Sequence, residues 1–67
     1  MTDQTAEEYI QSGDIKYEKE NYEEAIIDYT KAIEIDSKCA HAYNNRANAK
    51  SSINDLKGSI LDYLKAI

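Results

Sequence analysis

The chain has 67 residues, no proline, two glycines, one cysteine and a formal net charge of −5. A chain of this length is one small domain at most, hiding about 60% of the surface that its unfolded form exposes. Its lone Cys39 rules out an internal disulfide framework, its lone His41 has no second His or Cys at ligand spacing, and no apolar run is long enough to span a bilayer, so neither a cofactor nor a membrane is expected.

Helix formers dominate, and the apolar residues recur at helical spacing rather than in alternation. Thr5 followed by Glu8 is a capping box, which predicts a first helix from about Ala6 to Lys19. Asn21 with Glu24 is a second such start, and Ala25, Ile26, Tyr29, Ala32 and Ile33 follow the i, i+3, i+4, i+7, i+8 pattern, so Tyr22–Ile35 is expected to be helical. Glu23 and Glu24 then occupy the first turn, where the helix dipole favours them. Ser37 is expected to cap a third helix, from about Lys38 to Ser52. Asn54 tolerates a left-handed turn and Asp55 can cap a fourth helix, Leu56–Ile67, weakened by about 1 kcal/mol at Gly58.

The second half of the chain repeats the first. Ala6, Tyr9, Lys16, Ile26, Asp28, Tyr29, Lys31, Ala32 and Ile33 meet Ala40, Tyr43, Lys50, Ile60, Asp62, Tyr63, Lys65, Ala66 and Ile67 at one constant offset. Paired helices with this period, about 34 residues, resemble the tetratricopeptide repeat, whose pattern is W-x2-L-G-x2-Y, then A-x3-F, then P. Tyr9 stands for the Trp, Gly13 for the Gly, Ala25 for the Ala and Tyr29 for the Phe; Tyr43, Ala47, Ser59 and Tyr63 fall at the same places in the second unit. Ser12 and Arg46 depart from the Leu, Lys16 and Lys50 from the Tyr, and Ser37 from the Pro. The resemblance implies an all-α fold of four antiparallel helices, two stacked helix-turn-helix hairpins forming a fragment of a right-handed α-solenoid. It implies a lead-in over 1–5, a first unit over 6–39 and a second over 40–67 that is incomplete at its C-terminus. Gly13 and Ala47 would be small where the two helices of a unit cross, Ala25 and Ser59 for the same contact from the other side, and Tyr29, Tyr63, Ala32 and Ala66 would pack into the next helix pair.

The family also implies protein binding in a concave groove lined by the first helix of each unit. Transferred to this sequence, the groove comprises Glu7, Ile10, Gln11, Asp14 and Tyr17, with His41, Asn44, Asn45, Asn48 and Ser52. Asn44, Asn45 and Asn48 carry donors and acceptors that match a peptide backbone, although a merely solvated polar face is the simpler explanation of them. One subfamily holds acidic chaperone tails with a cationic clamp; here Ile10 and Asp14 occupy the clamp's first-helix positions, only Asn45 matches, and the cations of a third unit have no counterpart. The partner is therefore expected to be a neutral or basic protein or peptide. Catalysis is not expected: Asp14 with Glu18 and Asp28 with Lys31 read as ordinary surface pairs, and no nucleophile–base set or phosphate loop is present.

Charge and the end of the repeat suggest a second role. Up to Asp36 there are 11 acids and 3 lysines, a net of −8; from Ser37 there are 2 acids and 5 bases, a net of +3. The acidic half argues against nucleic acid. The start "MTDQTAEEY" lacks the basic and apolar regions of a signal peptide, and a lone thiol fits a reducing compartment, so a cytoplasmic location is expected. Ile60, Tyr63, Leu64 and Ile67 should form an exposed apolar face, and self-association into a homo-oligomer through it is the alternative function. With Ser37 in place of proline, Tyr22 to Ser52 could also run on as one helix and exchange units between chains, though Asp36 and Ser37 favour a break.

Overall fold

A computed structural model describes residues 5–67, so the expected lead-in lies outside the described residues except for Thr5. Four helices follow in order: α1 (Ala6–Glu18), α2 (Tyr22–Ile35), α3 (Ala40–Ser52) and α4 (Leu56–Ala66). α1 pairs with α2, α3 pairs with α4, and α2 packs on α3, which makes two stacked helical hairpins.

The first start is as the sequence predicts. Thr5 Oγ1 accepts from the Glu8 amide at 3.2 Å, and the Glu8 carboxylate accepts from the Thr5 amide at 2.8 Å. Asp55 likewise caps α4, accepting from the Gly58 amide at 3.1 Å. The two middle starts differ from expectation. Asn21 makes no side-chain cap. The third helix begins at Ala40, with Cys39 as its uncapped N-cap, rather than at Lys38. Asp36 takes over the turn instead: extended at φ −135°, it accepts the Lys38 amide on its side chain and the Cys39 amide on its carbonyl. This break between Ile35 and Ala40 replaces the continuous Tyr22–Ser52 helix.

The two turns within the hairpins are built alike. Glu20 and Asn54, one repeat apart, are both left-handed, at φ 64° and 69°. The Glu20 amide bonds Tyr17 O and the Asn21 amide bonds Lys16 O; in the second hairpin the Asn54 amide bonds Ser51 O and the Asp55 amide bonds Lys50 O. Each pair satisfies the last carbonyls of a helix in a Schellman arrangement. Asn54 is suited to this backbone, whereas Glu20 carries a side chain that resists it.

The core is thin and made mostly of alanine. Ala25, Ala32 and Ala42 are fully buried around Tyr29, with Ile10 beside them. Gly13 lies against the Tyr29 ring so closely that a Cβ there would come within 2.7 Å of it, so α1 and α2 cross where the sequence predicts a small residue. Tyr29 therefore fills the space under α1 of its own hairpin, besides facing the next helix pair.

Beside this apolar layer lies a buried polar one that the sequence reading missed. Asp28 is not a surface partner of Lys31. It is 6% exposed and accepts from Ser12 at 2.6 Å and Lys16 at 2.9 Å across the α1–α2 contact, while Lys31 lies over the Tyr9 ring. Asp62, its counterpart in the second unit, is equally enclosed and is gripped by Arg46 through two bonds of 2.8 Å and by Lys50 at 3.0 Å. Ser12, Lys16, Arg46 and Lys50, which depart from the family pattern, are thus the partners of two buried aspartates.

Candidate functional site

α1 and α3 lie side by side on one face and meet at Asp14. Its Oδ1 accepts the Tyr29 hydroxyl from α2 and the Asn45 amide from α3, the latter at 2.9 Å. Burial first, and then the Asp14 carboxylate, push the Tyr29 hydroxyl far above its ordinary pKa, so it stays a donor throughout the physiological range. Asp14 is the point where groove surface and core touch.

Two hollows flank this junction. One, of about 380 Å³, is lined by Asp14, Tyr17, Glu18, His41, Asn45 and Asn48, with the Tyr29 ring at its base. The other, of about 470 Å³, runs along Glu7, Ile10, Gln11, Asp14, Asp36 and His41. Asp14 and His41 border both, so the hollows form one trough. Tyr17 stands braced against Tyr22, ring centroids 5.2 Å apart at 70°. No lysine or arginine lines either hollow, while Lys16, Arg46 and Lys50 are committed to Asp28 and Asp62.

The expected groove residues divide into three groups. Glu7, Gln11, Asp14, Tyr17, His41, Asn45 and Asn48 border the trough. Ile10 only edges it, because its helical position turns it toward α2 and leaves it 8% exposed in the core. Asn44 and Ser52 fall away: Asn44 faces Tyr63, Ala66 and Ile67, and Ser52 donates to the Asn48 carbonyl at 3.1 Å without lining either hollow. The three asparagines are therefore not one wall. Adjacent residues on a helix point about 100° apart, which separates Asn44 from Asn45. Sequence reasoning missed Glu18 and Asp36 as trough residues. The spacing of Glu18, one turn after Asp14, could have revealed the first.

On the far edge of the molecule, α4 exposes Leu56, Ile60, Leu64 and Ile67, with Tyr63 38% exposed beside them. Their spacing, i, i+4, i+7, i+8, i+11, makes a single stripe. Tyr63 donates to Asn48 Oδ1, the counterpart of the Tyr29–Asp14 bond one repeat earlier. Among the described residues no helix is long and apolar enough to cross a membrane.

Two family models match the chain. One, described as TPR repeat, covers residues 13–52, and another, described as Tetratricopeptide repeat, covers residues 40–67. No curated protein matches it, and no solved structure does. Helical hairpins stacked at one constant period, and family matches running over most of the sequence, lead to one conclusion: the chain belongs to the tetratricopeptide repeat family, whose repeats generally mediate protein–protein interaction.

Proposed function

We propose that the trough between α1 and α3 binds an extended peptide, or an extended segment of a partner protein, that is neutral or basic. One observation carries this reading: acids and amides line both hollows, and no lysine or arginine neutralises them. A concave surface of one sign concentrates field and attracts the opposite charge. The role is binding rather than catalysis, in units spanning 6–39 and 40–67, and the single thiol Cys39 fits the reducing cytoplasm. Selecting a random peptide library against the chain, then against the Asn45→Ala/Asn48→Ala variant, tests the reading. Selected peptides should lose most of their binding to the variant. Peptides that bind the variant equally well would place recognition elsewhere.

A second reading, self-association, is favoured by the α4 stripe. Its occupant would be α4 of a second copy. Stacking α1 of a second copy there in the manner of α3 on α2 would put Glu8 where α3 presents the fully buried Ala42. Light scattering over a concentration series should then show a dimer that strengthens with salt and disappears in Leu64→Lys. A monomer at every concentration would remove this reading.

A further inference from the structure

The trough has two hollows, and their separation specifies more than a net charge. On α1 the first hollow is bordered by Ala6, Glu7, Ile10, Gln11 and Asp14, and the second by Asp14, Tyr17 and Glu18. The two sets share Asp14, and their centres lie about seven residues apart along the helix, or about 10 Å at 1.5 Å per residue. Glu7 and Asp36 line the first hollow, Glu18 lines the second and Asp14 lines both, and among the described residues none of these four carboxylates is in an ion pair. The second adds the braced face of Tyr17, a surface on which a cation is attracted by the ring quadrupole.

The opposite wall is set up differently. Asn45 gives one N–H of its amide to Asp14 and keeps its carbonyl oxygen, an acceptor, for the trough. Asn48 spends its carbonyl oxygen on Tyr63 and keeps its NH2 group, a donor. Asn45 thus has an unused acceptor oxygen and Asn48 an unused NH2 group, a turn apart on α3, which is what a main-chain N–H and C=O require. This division of labour follows from the Asp14 and Tyr63 bonds and is independent of the acidic charge.

We propose that this site, given the groove reading above, takes a polyproline-II-like segment carrying two basic side chains three residues apart. In that conformation the chain advances about 3.1 Å per residue with three residues per turn, so residues i and i+3 point to the same side about 9 Å apart. That matches the separation of the hollows. A flat β-strand would place same-side residues at i and i+2, about 7 Å apart, and would leave one hollow unfilled. One basic side chain lies between Tyr17, Asp14 and Glu18, the other between Glu7 and Asp36, and the intervening backbone meets Asn45 and Asn48.

The test uses fluorescein-labelled nine-residue peptides of serine and alanine with two lysines at i,i+2, at i,i+3 or at i,i+6, a lysine-free control, and a two-glutamate control at i,i+3. Binding is followed by anisotropy and mapped by amide NMR. The i,i+3 peptide should bind at least fivefold more tightly than the other lysine spacings. Asp14→Asn should lower its affinity by a similar factor. That variant should still fold, because the chain already places Asn48 beneath Tyr63 in the equivalent contact. Glu20→Gln/Glu23→Gln, outside the trough, should change little. Equal binding at all spacings, or shifts centred on residues 20–24, would overturn the proposal in favour of diffuse attraction to an acidic surface. Trough binding of the lysine-free peptide as tight as that of the i,i+3 peptide would overturn it while leaving the groove reading intact. Absence of trough binding by any peptide would sink both.

Discussion

The two hairpins make the same contacts with different chemistry. In the first, Asp28 is held by Ser12 and Lys16, and Tyr29 donates to Asp14. In the second, Asp62 is held by Arg46 and Lys50, and Tyr63 donates to Asn48. Each partner sits one full repeat after its counterpart. Tyr29 is 1% exposed because α3 covers it, whereas Tyr63 is 38% exposed. The positions are thus set by the repeat, while the energetic weight of each is set by what lies on top of it. The second hairpin compensates with a stronger ionic grip, since an arginine fork on a carboxylate is more specific than a hydroxyl and a lysine.

The tyrosines give the sharpest way to break this comparison. Tyr29→Ala should cost about 3–5 kcal/mol, as removal of a buried aromatic does, which is enough to unfold a domain of this size at 25 °C. Tyr63→Ala should cost less than about 1 kcal/mol. Circular dichroism melts decide it, and comparable losses at the two sites would show that covering by α3 does not matter.

The aspartates come next. Asp62→Ala should cost about 3 kcal/mol, because it strands Arg46 and Lys50 half-buried, while the double variant Arg46→Met/Asp62→Leu should recover part of that loss, Lys50 still lacking its partner. Burial pushes the Asp62 carboxyl up, but hydrogen bonds from Arg46 and Lys50, and then their charges, outweigh it and hold the pKa below its ordinary value. A depressed carboxyl contributes stability that is complete above its unfolded pKa, about 3.9, and is lost as pH falls through the folded value. The double variant should therefore melt with a shallower acid limb below about pH 4, and an unchanged limb would remove Asp62 from the account.

At Gly13 two effects oppose each other. Alanine gains about 1 kcal/mol of helix propensity but meets a buried ring that is tied down at its hydroxyl. The overpacking should win, with a net loss of about 1–2 kcal/mol. A variant more stable than the parent in urea titration would show that Tyr29 can yield.

The two turns should respond unequally to glycine. Glu20→Gly relieves a left-handed glutamate and should gain about 0.5–1 kcal/mol, whereas Asn54→Gly should change stability by less than about 0.5 kcal/mol. Equal responses would mean that the Glu20 backbone carries no strain. The smallest effect belongs to Ser37→Pro. Asp36 is already extended, as a residue before proline prefers, so the variant should gain up to about 0.5 kcal/mol and leave the molar mass unchanged. A fall in molar mass would revive the exchange of units between chains.

The sequence showed best what is local. Thr5 with Glu8, Asn54, and Asp55 announce helix boundaries in their immediate neighbourhood, and the alanines and Gly13 mark the close contact by period alone. Ser37 misled because Asp36, also a turn former, competes for the same amides and wins. The trough was half legible: spacing along one helix places Asp14 and Tyr17 together, but Ile10 and Asn44 depend on how far each helix is rotated toward its neighbours. Asp28 looked like a surface acid because its partners, Ser12 and Lys16, come from the helix before its own. The repeat itself held the missing clue, since Lys16 and Asp28 recur together as Lys50 and Asp62.

Arg46 does for α4 what Asp14 does for α1, bonding its own hairpin and the neighbouring one at once. Besides gripping Asp62 on α4, it donates to Thr30 on α2 at 3.0 Å, so a single guanidinium bolts the last helix to the second through the third. In a linear array, neighbouring units melt together only as far as their interface energy exceeds the difference in their own stabilities. A side chain that spends its bonds on both units at once raises that interface energy without adding to the core. With so little apolar mass to share, Arg46 and Asp14 add polar bonds to the interface between the hairpins, and α1 and α4 should melt together to the extent that these bonds hold.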